Sequence, residues 1–116
     1  MTAYKRGDIV LVPFPFSDQT AIKKRPAVVI SSNHYHAASQ DIIIMAITSQ
    51  TEKSLALGES LITKWREAGL LKPSSIKPAI STIEQKLIMK KLGTLGVDDL
   101  ASLNRILSEL LDISPN

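Results

Sequence analysis

This 116-residue sequence predicts a mainly β fold: a small, partly closed barrel finished by a C-terminal amphipathic helix. Three observations carry that prediction. Short runs rich in β-branched residues recur along the chain, separated by polar, proline-bearing or glycine-bearing stretches. Five or six of them have strand length, and only residues 96–113 sustain a helical period over several turns. The chain is long enough to bury a core as one domain, residues 1–116, without disulfides or metals.

The first run, "DIVLV" (8–12), reads as a strand. "PFPFSDQTAIKKRP" (13–26) carries three prolines around a polar middle and reads as a long loop with strand-like ends. "AVVIS" (27–31) and "DIIIMAIT" (41–48) are the next strands, the latter buried at least in part on both faces. Between them "SNHYHAASQ" (32–40) is a polar connection with room for one helical turn. Residues 49–59 are polar, with Gly58 as a break. "TKWREAGLLKPS" (63–74) reads as a short helix ending near Gly69, followed by a Lys-Pro loop. "SIKPAIST" (75–82) and "KLIMKKLG" (86–93) read as two more strands around a turn near Glu84, with Pro78 making the first an edge or bulged strand. In the terminal helix Val97, Leu100, Leu103, Leu107, Leu110 and Leu111 share a stripe. Gly96 is placed to cap that helix, and Asp98 and Asp99 sit in its first turn, where the dipole favours anions.

Composition removes several kinds of chemistry. With no cysteine there is no disulfide framework, thiolate nucleophile or cysteine zinc site, which fits a reducing cytoplasm. No apolar stretch reaches the length of a membrane span, and "MTAYKRGD" lacks the apolar core of a signal peptide. A cytoplasmic protein without a membrane partner is expected. The net charge of +3 hides an asymmetry. Residues 1–96 hold 13 Lys/Arg against 7 Asp/Glu, whereas 97–116 hold one Arg against four acids. A basic body suits a polyanionic partner, and it also suits a merely soluble surface. Trp65, the single tryptophan, is expected to be packed.

Few residues are placed for reaction chemistry. His34 and His36 stand two apart without a third ligand in view and read as surface histidines, so no metal site is expected. The five glycines form no phosphate loop, and the serine pairs at 31–32 and 74–75 lack a nucleophile elbow. What remains is "KKR" (Lys23, Lys24, Arg25) opening the second strand and "TSQT" (48–51) closing the third. The Arg fork matches phosphate geometry and a Thr hydroxyl can donate to a phosphate oxygen. Antiparallel pairing of these strands is expected to set the two groups at opposite ends; parallel pairing or a barrel bend would let them meet. The pattern leaves the choice open. The plain alternative is that Arg25 pairs with a surface acid and Thr48 only ends a strand.

"GDIVLVPFPFSD", "KKRPAVVIS", "IIIMAITSQ", "WREAGLLKPSSIKP" and "KLGTLGVDDLASL", in that order, resemble the PemK/MazF family, the toxins of bacterial type II toxin-antitoxin pairs. The resemblance covers nearly the whole chain. It implies an SH3-like barrel with helices, a homodimer, an acidic cognate antitoxin, and metal-independent, sequence-specific cleavage of single-stranded RNA, often mRNA, with no cofactor. The 2′-hydroxyl would be the nucleophile, leaving a 2′,3′-cyclic phosphate and a 5′-hydroxyl. The family's Arg and Thr fall on Arg25 and Thr48, as the catalytic pair. The loop 16–24 would flank the pocket, bringing Phe16, Ser17, Asp18 and Gln19 to the RNA together with Lys23, Lys24, Ser49, Gln50 and Lys77. One branch of the family uses an Arg-x-Asp pair on a later strand and a histidine in the first long loop. The best match here, Lys77-Pro78-Ala79, has no acid, and that loop has no histidine. Two other readings compete: a non-catalytic member that binds antitoxin and nucleic acid, and an SH3-like module for acidic proteins. The 4% aromatic content gives the latter few anchors.

Overall fold

Apolar runs that do not alternate demand burial on both faces, and the sheet provides it. The computed structural model describes residues 4–14, 23–51 and 56–113. In chain order it contains β1 (Asp8–Phe14), β2 (Lys23–Val29), α1 (Asn33–Ala38), β3 (Asp41–Thr48), β4 (Ser60–Ile62), β5 (Ser74–Glu84), a 3-10 turn (Gln85–Leu87), β6 (Lys90–Thr94) and α2 (Val97–Leu111). The strands form one curled sheet in the order β4-β5-β3-β2-β1-β6, each pair antiparallel.

Successive residues of the central strands feed two cores. Ile9, Val28, Met45 and Ile47 join Ile62, Leu70, Ile76, Leu103 and Ile106 on one face. Val10, Val12, Ala27, Val29, Ile44 and Ala46 join Ile83 and Ile88 on the other. The first core is closed by α2 and by residues 63–70. Trp65 packs on its margin, as expected, with the Arg66 guanidinium 4.9 Å from the centre of its ring.

Residues 63–70 carry the chain from β4 across to β6. At one end the Asp99 carboxylate, buried at the start of α2, accepts the Thr63 N–H (2.9 Å), the Thr63 hydroxyl (2.9 Å) and the Lys64 N–H (3.0 Å). At the other end Gly69 lies against Gly93 of β6. A Cβ on Gly69 would stand 2.0 Å from the Leu92 carbonyl oxygen, and one on Gly93 would stand 2.1 Å from that of Ala68. Gly69 also holds φ +93, so glycine is required twice over.

Several element expectations need correction. Residues 63–74 do not form a helix. The Ala68, Gly69 and Leu70 N–H groups reach back four, three and five residues, to Lys64, Arg66 and Trp65. This is a series of turns, stopped by the left-handed Gly69 and too short to propagate. β2 starts at Lys23, because β1 runs on to Phe14 and pairs with it, so the three cations lie inside a strand. β4, only three residues long, was not expected. Val97, assigned to the buried stripe of the helix, is 86% exposed, and Ile106 is buried there instead. Gly96 does cap α2. Between the Met45–Ile80 and Ile47–Ile76 pairs one residue of β3 faces three of β5, Pro78 the middle one, so the expected bulge is present.

Candidate nucleic-acid interface

Strand polarity assembles the site. β2 and β3 pair antiparallel, with Ala27 opposite Ala46, Val28 opposite Met45 and Val29 opposite Ile44. Continued by two residues, that register sets Arg25 opposite Thr48. The expectation that antiparallel neighbours would part these groups is therefore wrong: where one strand of such a pair begins, the other ends. Pro26, which has no N–H to give, lies just outside the β2–β3 ladder.

Beside this junction is a cavity of about 410 Å³. Its buried base is formed by Ile47, Leu70 and Ser74, with half-buried Leu11, Pro26 and Leu92 around them. Arg25, Lys72 and Lys90 line it as well, with exposed Ser49 and Leu71. Among the described residues lining it, every charged one is a cation. Three positive groups around a low-dielectric concavity concentrate the field on an incoming anion.

Thr48 is half-buried between two lining residues, Ile47 and Ser49. Its Oγ1 accepts the Gln50 N–H at 3.1 Å, which leaves the hydroxyl proton for another acceptor. Lys23 and Lys24 are exposed on β2 immediately before Arg25, and Ser49 and Gln50 are exposed beyond β3. Lys77 is exposed on the bulge of β5, with β3 between it and β2, and does not line the cavity. Phe16, Ser17, Asp18 and Gln19 lie outside the described residues. Lys72, Lys90, Leu71 and Ser74 were missed. Their convergence depends on the Gly69–Gly93 approach, for which "EAGLL" and "KLGT" gave no pairing signal.

The histidines divide. His34 is exposed, as expected, but His36 is half-buried. Its Nδ1 stands 3.0 Å from the Tyr4 carbonyl oxygen, which can only accept, so Nδ1 carries the proton and Nε2 accepts from the Ser31 hydroxyl. Ser31 Oγ in turn accepts the Ile43 N–H at 2.9 Å. Ser31 is buried, and the arrangement is a clasp joining α1, β3 and the segment before β1. On that segment Arg6 gives its Nε–H to the Ile30 carbonyl (3.0 Å), and burial pushes its guanidinium below its ordinary pKa. Among the described residues no three His, Asp or Glu side chains group as a metal site, and no helix is long and apolar enough to cross a membrane.

The fold has close relatives in shape. An endoribonuclease from a mycobacterial species, solved in complex with its cognate antitoxin, superposes with a TM-score of 0.78 at 14% identity, covering 98% of this chain and 100% of its own. MazF from Deinococcus radiodurans gives a TM-score of 0.76 at 17% identity, covering 97% and 100%. The Mycobacterium tuberculosis toxin MazF-mt6 gives 0.75 at 17% identity, covering 93% and 99%. No curated protein matches the chain in sequence. A family model, the PemK-like, MazF-like toxin of type II toxin-antitoxin systems, matches residues 5–111. With that match spanning the strands and helices described above, the chain belongs to the PemK-like, MazF-like toxins of type II toxin-antitoxin systems.

Proposed function

We propose that this toxin is a metal-independent endoribonuclease that cuts single-stranded RNA, with Arg25 and Thr48 acting on one scissile phosphate. What supports the reading is that the β2–β3 ladder opens just after Arg25 on one strand and closes just before Thr48 on the other, beside a cavity that Arg25 lines, that Thr48 adjoins through Ile47 and Ser49, and whose charged lining residues are cations. Structural neighbours named as endoribonucleases lend it support.

In the proposed reaction the ribose 2′-oxygen attacks phosphorus and gives its proton to solvent water. The new O2′–P bond forms as the P–O5′ bond breaks. A 2′,3′-cyclic phosphate remains on one fragment, and the departing 5′-oxygen takes up a proton to become a hydroxyl. A guanidinium holds its protons too tightly to serve as a base. The Arg25 N–H groups stabilise the charge that grows on the phosphorane oxygens. The Thr48 hydroxyl, held by Gln50 N–H, donates to a non-bridging oxygen and fixes the phosphate in line. In this reading Lys23 and Lys24 bind the RNA backbone on the approach, and Ser49 and Gln50, exposed just beyond Thr48, contact the adjoining nucleotide. Lys77, off the cavity, would meet the RNA only further along the strand. The absence of an acid at Lys77-Pro78-Ala79 separates this chemistry from the branch that uses an Arg-x-Asp pair.

The remaining parts of the reading follow from the family. The toxin is cytoplasmic, forms a homodimer, and is silenced by an antitoxin whose acidic segment covers the cationic cavity. Neighbours solved with antitoxins favour such a partner.

The test is cleavage of a long single-stranded RNA by purified protein in EDTA, with the 5′ ends of the fragments mapped. Discrete cuts that vanish in Arg25→Ala are expected. Loss of cutting in EDTA would overturn the metal-free mechanism. A wild-type protein that binds antitoxin but cuts nothing would make the chain a binding module.

A further inference from the structure

We propose that the cavity beside Arg25 is a nucleobase pocket, and that Leu71, Lys72 and Lys90 make it select a base with an oxygen where adenine and cytosine carry an amino group, guanine (O6) or uracil (O4), over adenine. The inference rests on the RNA-cleaving reading above and adds a substrate preference to it.

A phosphate site needs donors and no apolar base. This cavity has both. Ile47 and Leu70 are buried at its bottom, and Leu11 and Leu92 are half-buried beside them. Its volume of about 410 Å³ exceeds the need of one phosphate and suits a flat heterocycle with part of its sugar. A base taken out of its stack must exchange stacking for contact with apolar side chains. Leu71 is 93% exposed at the mouth, where a base lying in the cavity would cover it.

The polar groups decide the edge. Lys72 and Lys90 line the cavity from two segments, the chain before β5 and β6, and their ammonium groups are donors only. Ser74 has its hydroxyl proton committed to the Lys72 carbonyl at 2.8 Å. Donors facing a base favour carbonyl and ring-nitrogen acceptors. Guanine offers O6 beside N7, and uracil offers two carbonyls. Adenine sets its amino donor beside N7 and would leave an ammonium facing an N–H. Base choice therefore does not rest on the loop 16–24 alone. The Gly69–Gly93 approach holds the two segments together, so the pocket exists before RNA arrives.

Two measurements test this. The first is cleavage of an RNA library randomised around a mapped cut. Wild type is expected to prefer G or U over A at least tenfold at one position adjoining the cut. Leu71→Ala and the Lys72→Ala, Lys90→Ala pair should reduce that preference to below about threefold, leave other positions unchanged, and lower total cutting less than the ratio. A preference for adenine there, or a profile the variants do not alter, overturns the proposal. So does a pocket whose variants lose antitoxin binding but keep base preference. The second is an amide NMR titration with GMP, UMP and AMP, which needs no nuclease activity. GMP or UMP should shift the amides of Ser49, Leu71, Lys72 and Leu92 at concentrations where AMP does not. If wild type cuts no RNA, the cleavage reading fails while this titration still decides the pocket. Equal shifts from all three nucleotides, or none at those residues, overturn it.

Discussion

Gly69 and Gly93 meet back to back across the open side of the barrel, so close that a methyl group on either would overlap the other segment's carbonyl, at 2.0 Å and 2.1 Å. That approach brings residues 69–72 beside β6 and gives the cavity two of its walls. Gly93→Ala is expected to lower stability by about 1–3 kcal/mol, the usual cost of overpacking. Gly69→Ala should cost more, because it adds a left-handed backbone strain of about 1–2 kcal/mol. Gly96→Ala, where an added Cβ would meet nothing within 4 Å, is the control and should lose only about 0.5–1 kcal/mol, the cost of a poorer helix cap. Urea denaturation midpoints measure all three.

Asp99 ties the other end of the same segment to α2. Asp99→Ala removes the buried acceptor for two backbone N–H groups and one hydroxyl, and should destabilise by about 2–4 kcal/mol, since a hydrogen bond to a charged group is worth about 1.5–3 kcal/mol. Thr63→Val keeps the backbone bond and should cost about 1 kcal/mol, the worth of one ordinary hydrogen bond. Thermal or urea unfolding of the two variants should preserve that order.

Ser31 stands between a backbone donor and an imidazole acceptor. Ser31→Ala strands the Ile43 N–H and leaves His36 Nε2 without its donor, at a cost of about 1–3 kcal/mol. The effect on RNA cutting, measured well below the unfolding midpoint, should be under twofold. A variant that is stable yet inactive would mean that the Ser31–His36 pair takes part in chemistry.

Lys23 and Lys24 are exposed cations on the strand that presents Arg25. Replacing both by Ala should weaken binding of a single-stranded RNA and flatten the slope of log affinity against log salt by about 1.4, since each phosphate contact on a single strand contributes about 0.7. Fluorescence anisotropy across a salt series reads this directly. An unchanged slope would place the two lysines off the RNA backbone.

Much of the fold was legible because burial on both faces leaves an unbroken apolar run, as in "AVVI" and "DIIIMAI", and because α2 has a clean helical period. The failures have identifiable causes. In 63–74 helix-forming residues are overruled by Gly69, whose conformation is set by a contact with β6 that no local pattern records. β4 is three residues long and exists only as a partner for Ser74, Ser75 and Ile76. Arg25 and Thr48 were visible as residues, through their chemistry and through family resemblance. That the two strand ends lie side by side was implied by the resemblance alone, because strand polarity was read the wrong way round. Lys72 and Lys90 gave no signal at all, being ordinary surface lysines until the fold brings them to one cavity.

The joint action of Arg25 and Thr48 on one phosphate is tested most directly by a double-mutant cycle. Single-turnover cleavage of one RNA at one mapped site would be compared for wild type, Arg25→Ala, Thr48→Ala and the double variant. Each single change should slow cleavage by about 10²-fold or more, the scale of losing one preorganised donor to a developing oxyanion. The double variant should be slowed little beyond the worse single, because the two groups hold the same phosphate. Losses that multiply in full, or an Arg25→Ala protein that cuts at the wild-type rate, would contradict it.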